Sequence, residues 1–130
     1  MIISLQLDSE TPIYEQLRNQ IVIGIATGQL EPGERLPTVR QLAEDLGINT
    51  MTVNKAYSLL KLEGYIVIDR RHGAKVSPRK TGGTGEQSST MLVERLELII
   101  AQATINGMER AQFDSLCDQI FARMKYSSKL

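Results

Sequence analysis

The chain of 130 residues has one cysteine, Cys117, and one histidine, His72, so it can form neither an internal disulfide nor a cysteine-built zinc site. Neither sign of charge is in excess: 15 lysines and arginines cancel 15 aspartates and glutamates, and global charge names no partner. Long hydrophobic runs are missing as well. Leu98-Ile99-Ile100-Ala101 is among the longest, far below the ~18 apolar residues that suggest a bilayer span, so no membrane partner is expected. The segment Met1-Ile2-Ile3-Ser4-Leu5 has no basic stretch before it meets Asp8 and Glu10, which is unlike a secretory signal; the expected location is the cytoplasm. Nucleophile–base pairs, paired carboxylates and metal clusters are not visible, so neither an enzyme nor a cofactor is expected. Gly82-Gly83-Thr84-Gly85 lacks the lysine and the preceding buried strand of a phosphate loop, and reads as linker.

With 42% hydrophobic and 23% charged residues, the composition is that of a packed globular protein, and the length suits one small domain with an appendage. Charge is unevenly spread. Residues 1–32 carry one basic and four acidic side chains, residues 33–80 nine basic and five acidic, and residues 81–130 five basic and six acidic. The middle of the chain is where an anion would bind.

Local patterns set out the elements. Thr11 and Pro12 read as an N-cap and first helical residue, followed by Ile13, Leu17, Ile21 and Ile25 on one face and Gly28 as a stop. Thr38 and Gln41 have the spacing of a capping box, opening a short second helix that ends at Gly47. Asn49 caps a third helix with Val53, Ala56, Tyr57 and Leu60 inward, stopped by Gly64. The period then changes: Tyr65 to Ile68 and Ala74 to Ser77 flank a turn at Asp69-Arg70-Arg71-His72-Gly73, which is a β-hairpin. Three helices and a terminal hairpin make a winged helix-turn-helix over residues 1–78. Residues 79–90 contain no core-forming side chain and read as a flexible linker.

Residues 91–130 hold two amphipathic helices, a hairpin whose apolar faces are too wide to cover each other. Leu92, Leu96, Ile99 and Ala103 on one, with Leu116, Ile120 and Met124 on the other, are expected to dimerise with a second copy; packing back onto the first domain is the alternative. The fold class is thus mainly α with a small β wing: an N-terminal winged helix-turn-helix followed by a two-helix C-terminal dimerisation hairpin.

Given the inward set of the third helix, a 100° step places Met51, Lys55 and Ser58 outward and Asn54 on the flank, with Thr50 and Thr52 in the first turn. Asn54 suits an adenine edge, Met51 a thymine methyl, and Lys55 a phosphate or guanine. Arg40, in the first turn of helix two, and Arg71, His72 and Gly73 at the wing tip suit contact with the DNA backbone or minor groove.

Pro12-Ile13-Tyr14-Glu15-Gln16-Leu17, the run from Gly28 to Ala43 that contains Leu30-Glu31-Pro32-Gly33-Glu34-Arg35-Leu36-Pro37-Thr38, and Asn49-Thr50-Met51-Thr52-Val53-Asn54-Lys55-Ala56-Tyr57 together resemble the GntR family of bacterial transcription regulators. The likeness spans roughly residues 10–77, and the short tail resembles the YtrA subfamily, whose tails dimerise. The resemblance implies a homodimeric repressor on a palindromic double-stranded DNA operator. It carries DNA contacts onto Arg40, Thr50, Met51, Thr52, Asn54, His72 and Gly73. Position 50 often carries arginine in the wider family and here is Thr50, which implies a different operator. The wing has Gly73-Ala74-Lys75-Val76 where Gly-x-Gly-Thr is usual. A winged-helix module that binds protein or RNA is the alternative function. A small-molecule effector, of chemistry the sequence does not name, is expected between the wing domain and the tail or within the dimer interface.

Overall fold

Ile13, Leu17, Ile21 and Ile25 do share one helix face, and the chain around them folds as the spacing predicts. The computed structural model describes residues 2–71, 73–78 and 85–128. In chain order these form α1 (Ile13–Ala26), α2 (Val39–Leu46), α3 (Thr50–Leu62), β1 (Ile66–Asp69), β2 (Gly73–Val76), α4 (Gly85–Ile105) and α5 (Arg110–Ser128). Leu17 and Ile21 of α1, Leu42 and Ala43 of α2, and Val53, Ala56, Tyr57 and Leu60 of α3 bury one core, closed below by Ile66 and Val76 of the sheet. Each large aliphatic side chain sealed there contributes about 1.5–3 kcal/mol.

The helix ends follow the local chemistry. The Thr38 hydroxyl accepts from the Gln41 N–H at 3.0 Å while Gln41 Oε1 accepts from the Thr38 N–H at 3.1 Å, the reciprocal capping box. Asn49 Oδ1 accepts from the Met51 N–H at 2.7 Å. Between these caps the chain must reverse in three residues, and Gly47 at φ +68° makes that possible, since a side chain there would be strained. Helix α1 differs from expectation at its start. Pro12, not Thr11, occupies the cap position and no side chain caps it, because proline has no side-chain acceptor; the Pro12 carbonyl accepts from the Glu15 and Gln16 N–H groups at 3.1 and 3.0 Å.

The wing is β1 paired antiparallel with β2, Ile66 opposite Val76 and Asp69 opposite Gly73. A further segment joins its other edge. The Leu36 N–H donates to the Ala74 carbonyl at 2.8 Å, the Val76 N–H to the Glu34 carbonyl at 2.8 Å, and the Gly33 N–H to the Val76 carbonyl at 3.0 Å. Nor did the sequence show an N-terminal arm. Gln16 Oε1 accepts from the Gln6 N–H at 2.8 Å and its Nε2 donates to the Gln6 carbonyl at 3.0 Å. Gln20 grips Ser4 in the same two-sided way, so two side chains one turn apart act as a strand edge for residues 4–6.

Helix α4 starts at Gly85, inside the segment 79–90 expected to be linker. Glu86 to Thr90 contain no glycine or proline to stop a helix, and absence of apolar residues is not absence of helix. The α4 side chains described from Ser89 onward are exposed or half-buried, among them Leu92 at 59% and Ile99 at 49%. Leu96 and Leu116 are also exposed, and Ala103, Ile120 and Met124 half-buried. Phe121, which the sequence pattern left out, is 74% exposed. Among the described residues no helix is long and apolar enough to cross a membrane.

Candidate nucleic-acid interface

Tyr57 fixes the relation between α2 and α3. Its ring is buried in the core, and its hydroxyl donates to the Pro37 carbonyl at 2.7 Å, immediately before the Thr38 cap. Burial pushes the phenol above its ordinary pKa, so it stays a donor across the neutral range. Replacing Tyr57 with Phe leaves that carbonyl without its partner and is expected to cost about 1–2 kcal/mol in urea unfolding. The folded pKa lies above the unfolded value of about 10, so the stability linked to the neutral phenol is present below that pH and is lost as pH rises past it. Tyr57→Phe should therefore lose less stability than wild type on going to strong alkali.

Two cationic side chains clamp α3 to α1. Arg18 meets Glu63 with two parallel bonds, Nε to Oε1 at 2.8 Å and Nη2 to Oε2 at 2.9 Å, and its guanidinium lies 5.6 Å from the centre of the Tyr65 ring. The hydrogen bonds that Arg18 donates to Glu63 raise its already high pKa against the lowering effect of burial. At the other end, Lys55 Nζ sits 4.0 Å from the centre of the Tyr14 ring. Arg18, Glu63 and Tyr14 went unread in the sequence, since nothing local links positions 45 residues apart.

What α3 presents outward is then fixed. Met51 is 76% exposed, an apolar group held in solvent beside the exposed Thr50 and Asn54, with Thr52 half-buried. Lys55 is on the same outward side, but its ammonium is held against Tyr14 rather than extended. Arg40 is exposed in the first turn of α2, directly behind the capping box. Among the described residues neither the Arg40 nor the Asn54 side chain has a hydrogen-bond or ion-pair partner, so both are open to a ligand. At the wing tip, Arg71 is exposed with its backbone N–H bonded to Asp69 Oδ1 at 2.8 Å, and Gly73 turns at φ +75° with open space where a side chain would stand. His72 lies outside the described residues.

A tri-helical core with a capped recognition helix, a basic residue at the mouth of the preceding helix and a hairpin wing beside them defines a winged helix-turn-helix regulator. Residues 12–76 match the family described as "Bacterial regulatory proteins, gntR family". The HTH-type transcriptional repressor YtrA of Bacillus subtilis (strain 168) is 35% identical over 127 residues, covering 96% of this chain and 98% of that protein. YtrA from Sulfolobus acidocaldarius, a solved GntR-family transcription factor, is 39% identical with a TM-score of 0.64, over 81% of this chain and 99% of its own. A transcriptional antiterminator from Listeria monocytogenes EGD-e, 22% identical, superposes with a TM-score of 0.90 over 96% of this chain and 93% of that one, which shows the shared fold. The chain belongs to the GntR family of DNA-binding transcription regulators, and its likeness to YtrA runs through the two-helix tail as well as the winged unit.

Proposed function

We propose that the chain is a cytoplasmic, homodimeric repressor that binds a palindromic duplex-DNA operator and performs no catalysis. The observation that carries this reading is the outward face of α3: polar side chains and the exposed Met51 on a helix capped at its start by Asn49 and held to α1 through Lys55 and, at its C-cap, Glu63. Such a helix enters the major groove, where Asn54 reads an adenine edge and Met51 a thymine methyl. Thr50 and Thr52 meet phosphate or base at its first turn. Arg40 reaches the backbone from α2, and Arg71, His72 and Gly73 bring the wing to the flanking groove. The second part of the proposal is that Leu92, Leu96, Ile99, Ala103, Leu116, Ile120 and Met124 pair with a second copy. This is supported by the apolar surface those helices leave uncovered in the single chain. A small-molecule effector acting on operator affinity completes the reading.

Selection of bound sequences from random duplex DNA, followed by titration at several salt concentrations, tests it. A palindromic consensus and affinity that falls steeply with salt are expected, because phosphate neutralisation releases counterions. Equal binding to single-stranded RNA, or no retention on any duplex, would overturn it in favour of an RNA- or protein-binding module.

Within the same assay Asn54 and Lys55 should separate. Asn54→Ala is expected to relax preference at one base pair, costing about 1–3 kcal/mol on the preferred sequence. Lys55, once its ammonium leaves the Tyr14 ring for a phosphate, supplies affinity without reading sequence, so Lys55→Ala should weaken all sequences alike and reduce the salt slope by up to about 1. A shift in sequence preference on changing Lys55 would reverse the assignment.

A further inference from the structure

The outer face of the wing sheet carries two cations side by side. Leu36, Ala74 and Val76 bury their side chains in the core, so the alternation of extended chain turns Arg35 and Lys75 the other way. They stand directly opposite each other, Arg35 on the segment that joins the sheet edge and Lys75 on β2, with Val67 of β1 completing the row. The bonds on either side run from the Leu36 N–H to the Ala74 carbonyl and from the Val76 N–H to the Glu34 carbonyl. Arg35 and Lys75 therefore exchange no backbone bond of their own, which is the arrangement that brings facing side chains closest.

Like charges placed directly opposite each other destabilise a sheet. Here no carboxylate offsets them. Among the described residues neither the Arg35 nor the Lys75 side chain has a hydrogen bond or an ion pair. Glu34 accepts from the Glu31 N–H at 2.9 Å and Asp69 from the Arg71 N–H at 2.8 Å, while Glu44 and Asp45, which border a groove with Arg35, stay outside ion-pair distance of it. Val67 brings no charge. The Cβ atoms of such a facing pair are about 4.5–5.5 Å apart, so a guanidinium and an ammonium can both reach a single oxyanion set over the ladder. An anion there would turn a repulsion into two attractions.

We propose that Arg35 and Lys75 together hold one backbone phosphate of duplex DNA. The shared chemistry is that of a phosphate oxyanion, and the place of the pair in the chain selects DNA as its source. Lys75 is two residues past Gly73 of the wing tip, and Arg35 is in the segment that runs through Pro37 into the Thr38 cap and Arg40. The contact extends the DNA-facing surface from the wing tip onto the outer face of its sheet, and it rests on the operator-binding reading above.

The test is titration of the full chain with the selected operator and with unrelated duplex at several salt concentrations, beside thermal unfolding. Arg35→Gln and Lys75→Gln should each weaken both duplexes alike, by about fivefold or more. Because the two side chains share one phosphate, the double variant should lose little more than either single one, with the salt slope reduced by about 1 and not 2. Melting temperatures should stay level or rise, since each change removes a like-charge repulsion. Lys75→Glu drives the two readouts apart: a carboxylate opposite Arg35 raises the melting temperature through a cross-strand ion pair while duplex affinity falls about tenfold or more. Unchanged duplex affinity in the folded variants, losses that add in full in the double variant, or a lower melting temperature for Lys75→Glu would each overturn the proposal. Inorganic phosphate supplies the second arm. Saturating shifts of the Arg35 and Lys75 amides below about 1 mM phosphate, with duplex affinity untouched by the variants, would overturn DNA as the source in favour of a free anion. Failure of the operator reading is distinguishable, since it shows as absent duplex binding by the wild-type chain, whereas failure of this contact shows as wild-type binding that the variants do not weaken.

Discussion

Cutting the chain after Pro78 is expected to leave a folded monomer whose operator affinity is lower by a factor of about 10² or more. The fragment should fold because the buried hydrophobic core runs from Leu17 to Val76, and α4 and α5 contribute no fully buried side chain among those described. It should be monomeric because the apolar surface proposed for pairing is on the removed segment: Leu92, Leu96, Ile99 and Leu116 are each at least 40% exposed in the single chain. Leaving that many large aliphatic groups in water is costly, and a second copy of the same helices is the partner always present at equal concentration. Once two recognition helices are joined, the second half-site is bound from a high effective concentration, and that advantage is lost with the tail. Sedimentation of the fragment and titration with the selected operator check the two halves of the argument separately. A fragment that remained dimeric, or a monomer as tight as the intact chain, would sink the proposal.

Features that depend on a few consecutive residues were legible before any coordinates. The Thr38–Gln41 box, the Asn49 cap, the end of α2 at Gly47 and the inward set of α3 all follow from side-chain chemistry and a 100° step, and each is found where the spacing puts it. Contacts between elements were not legible. Tyr57 and Pro37 are 20 positions apart and Arg18 and Glu63 are 45 apart, so no periodicity ties one to the other. Lys55 shows what this costs a functional reading: the helical wheel places it outward and free, whereas its ammonium rests on Tyr14, a residue of another helix. The third edge of the wing was hidden for a related reason. Gly33 to Leu36 is read as turn and helix lead-in by its proline and glycine neighbours, and only the fold brings its N–H groups to Ala74 and Val76.

The N-terminal arm belongs to the same class. Gln16 and Gln20 look like ordinary polar positions on α1, and only the backbone of residues 4–6 lying across them shows what their amides hold. Which residues share one helix face can be placed from sequence; which residues meet across a clamp between elements cannot.

Arg40→Ala is expected to weaken operator binding about 10- to 100-fold while leaving the melting temperature unchanged. The side chain is exposed in the first turn of α2 and makes no hydrogen bond or ion pair among the described residues, so its removal takes nothing from the core or from the Thr38–Gln41 box, which is built from other residues. Its position is nonetheless defined, because the box fixes the first turn and Tyr57 holds the Pro37 carbonyl just ahead of it. A guanidinium presented this way meets a phosphate or a base edge with charge-assisted bonds worth about 1–3 kcal/mol, which sets the size of the loss. Arg40→Lys separates charge from geometry: a point contact to phosphate would be largely restored by lysine, whereas a bidentate contact would not. Operator titration beside thermal unfolding gives the result directly. A folded Arg40→Ala chain with undiminished affinity would remove Arg40 from the contact surface and leave α3 and the wing to carry it.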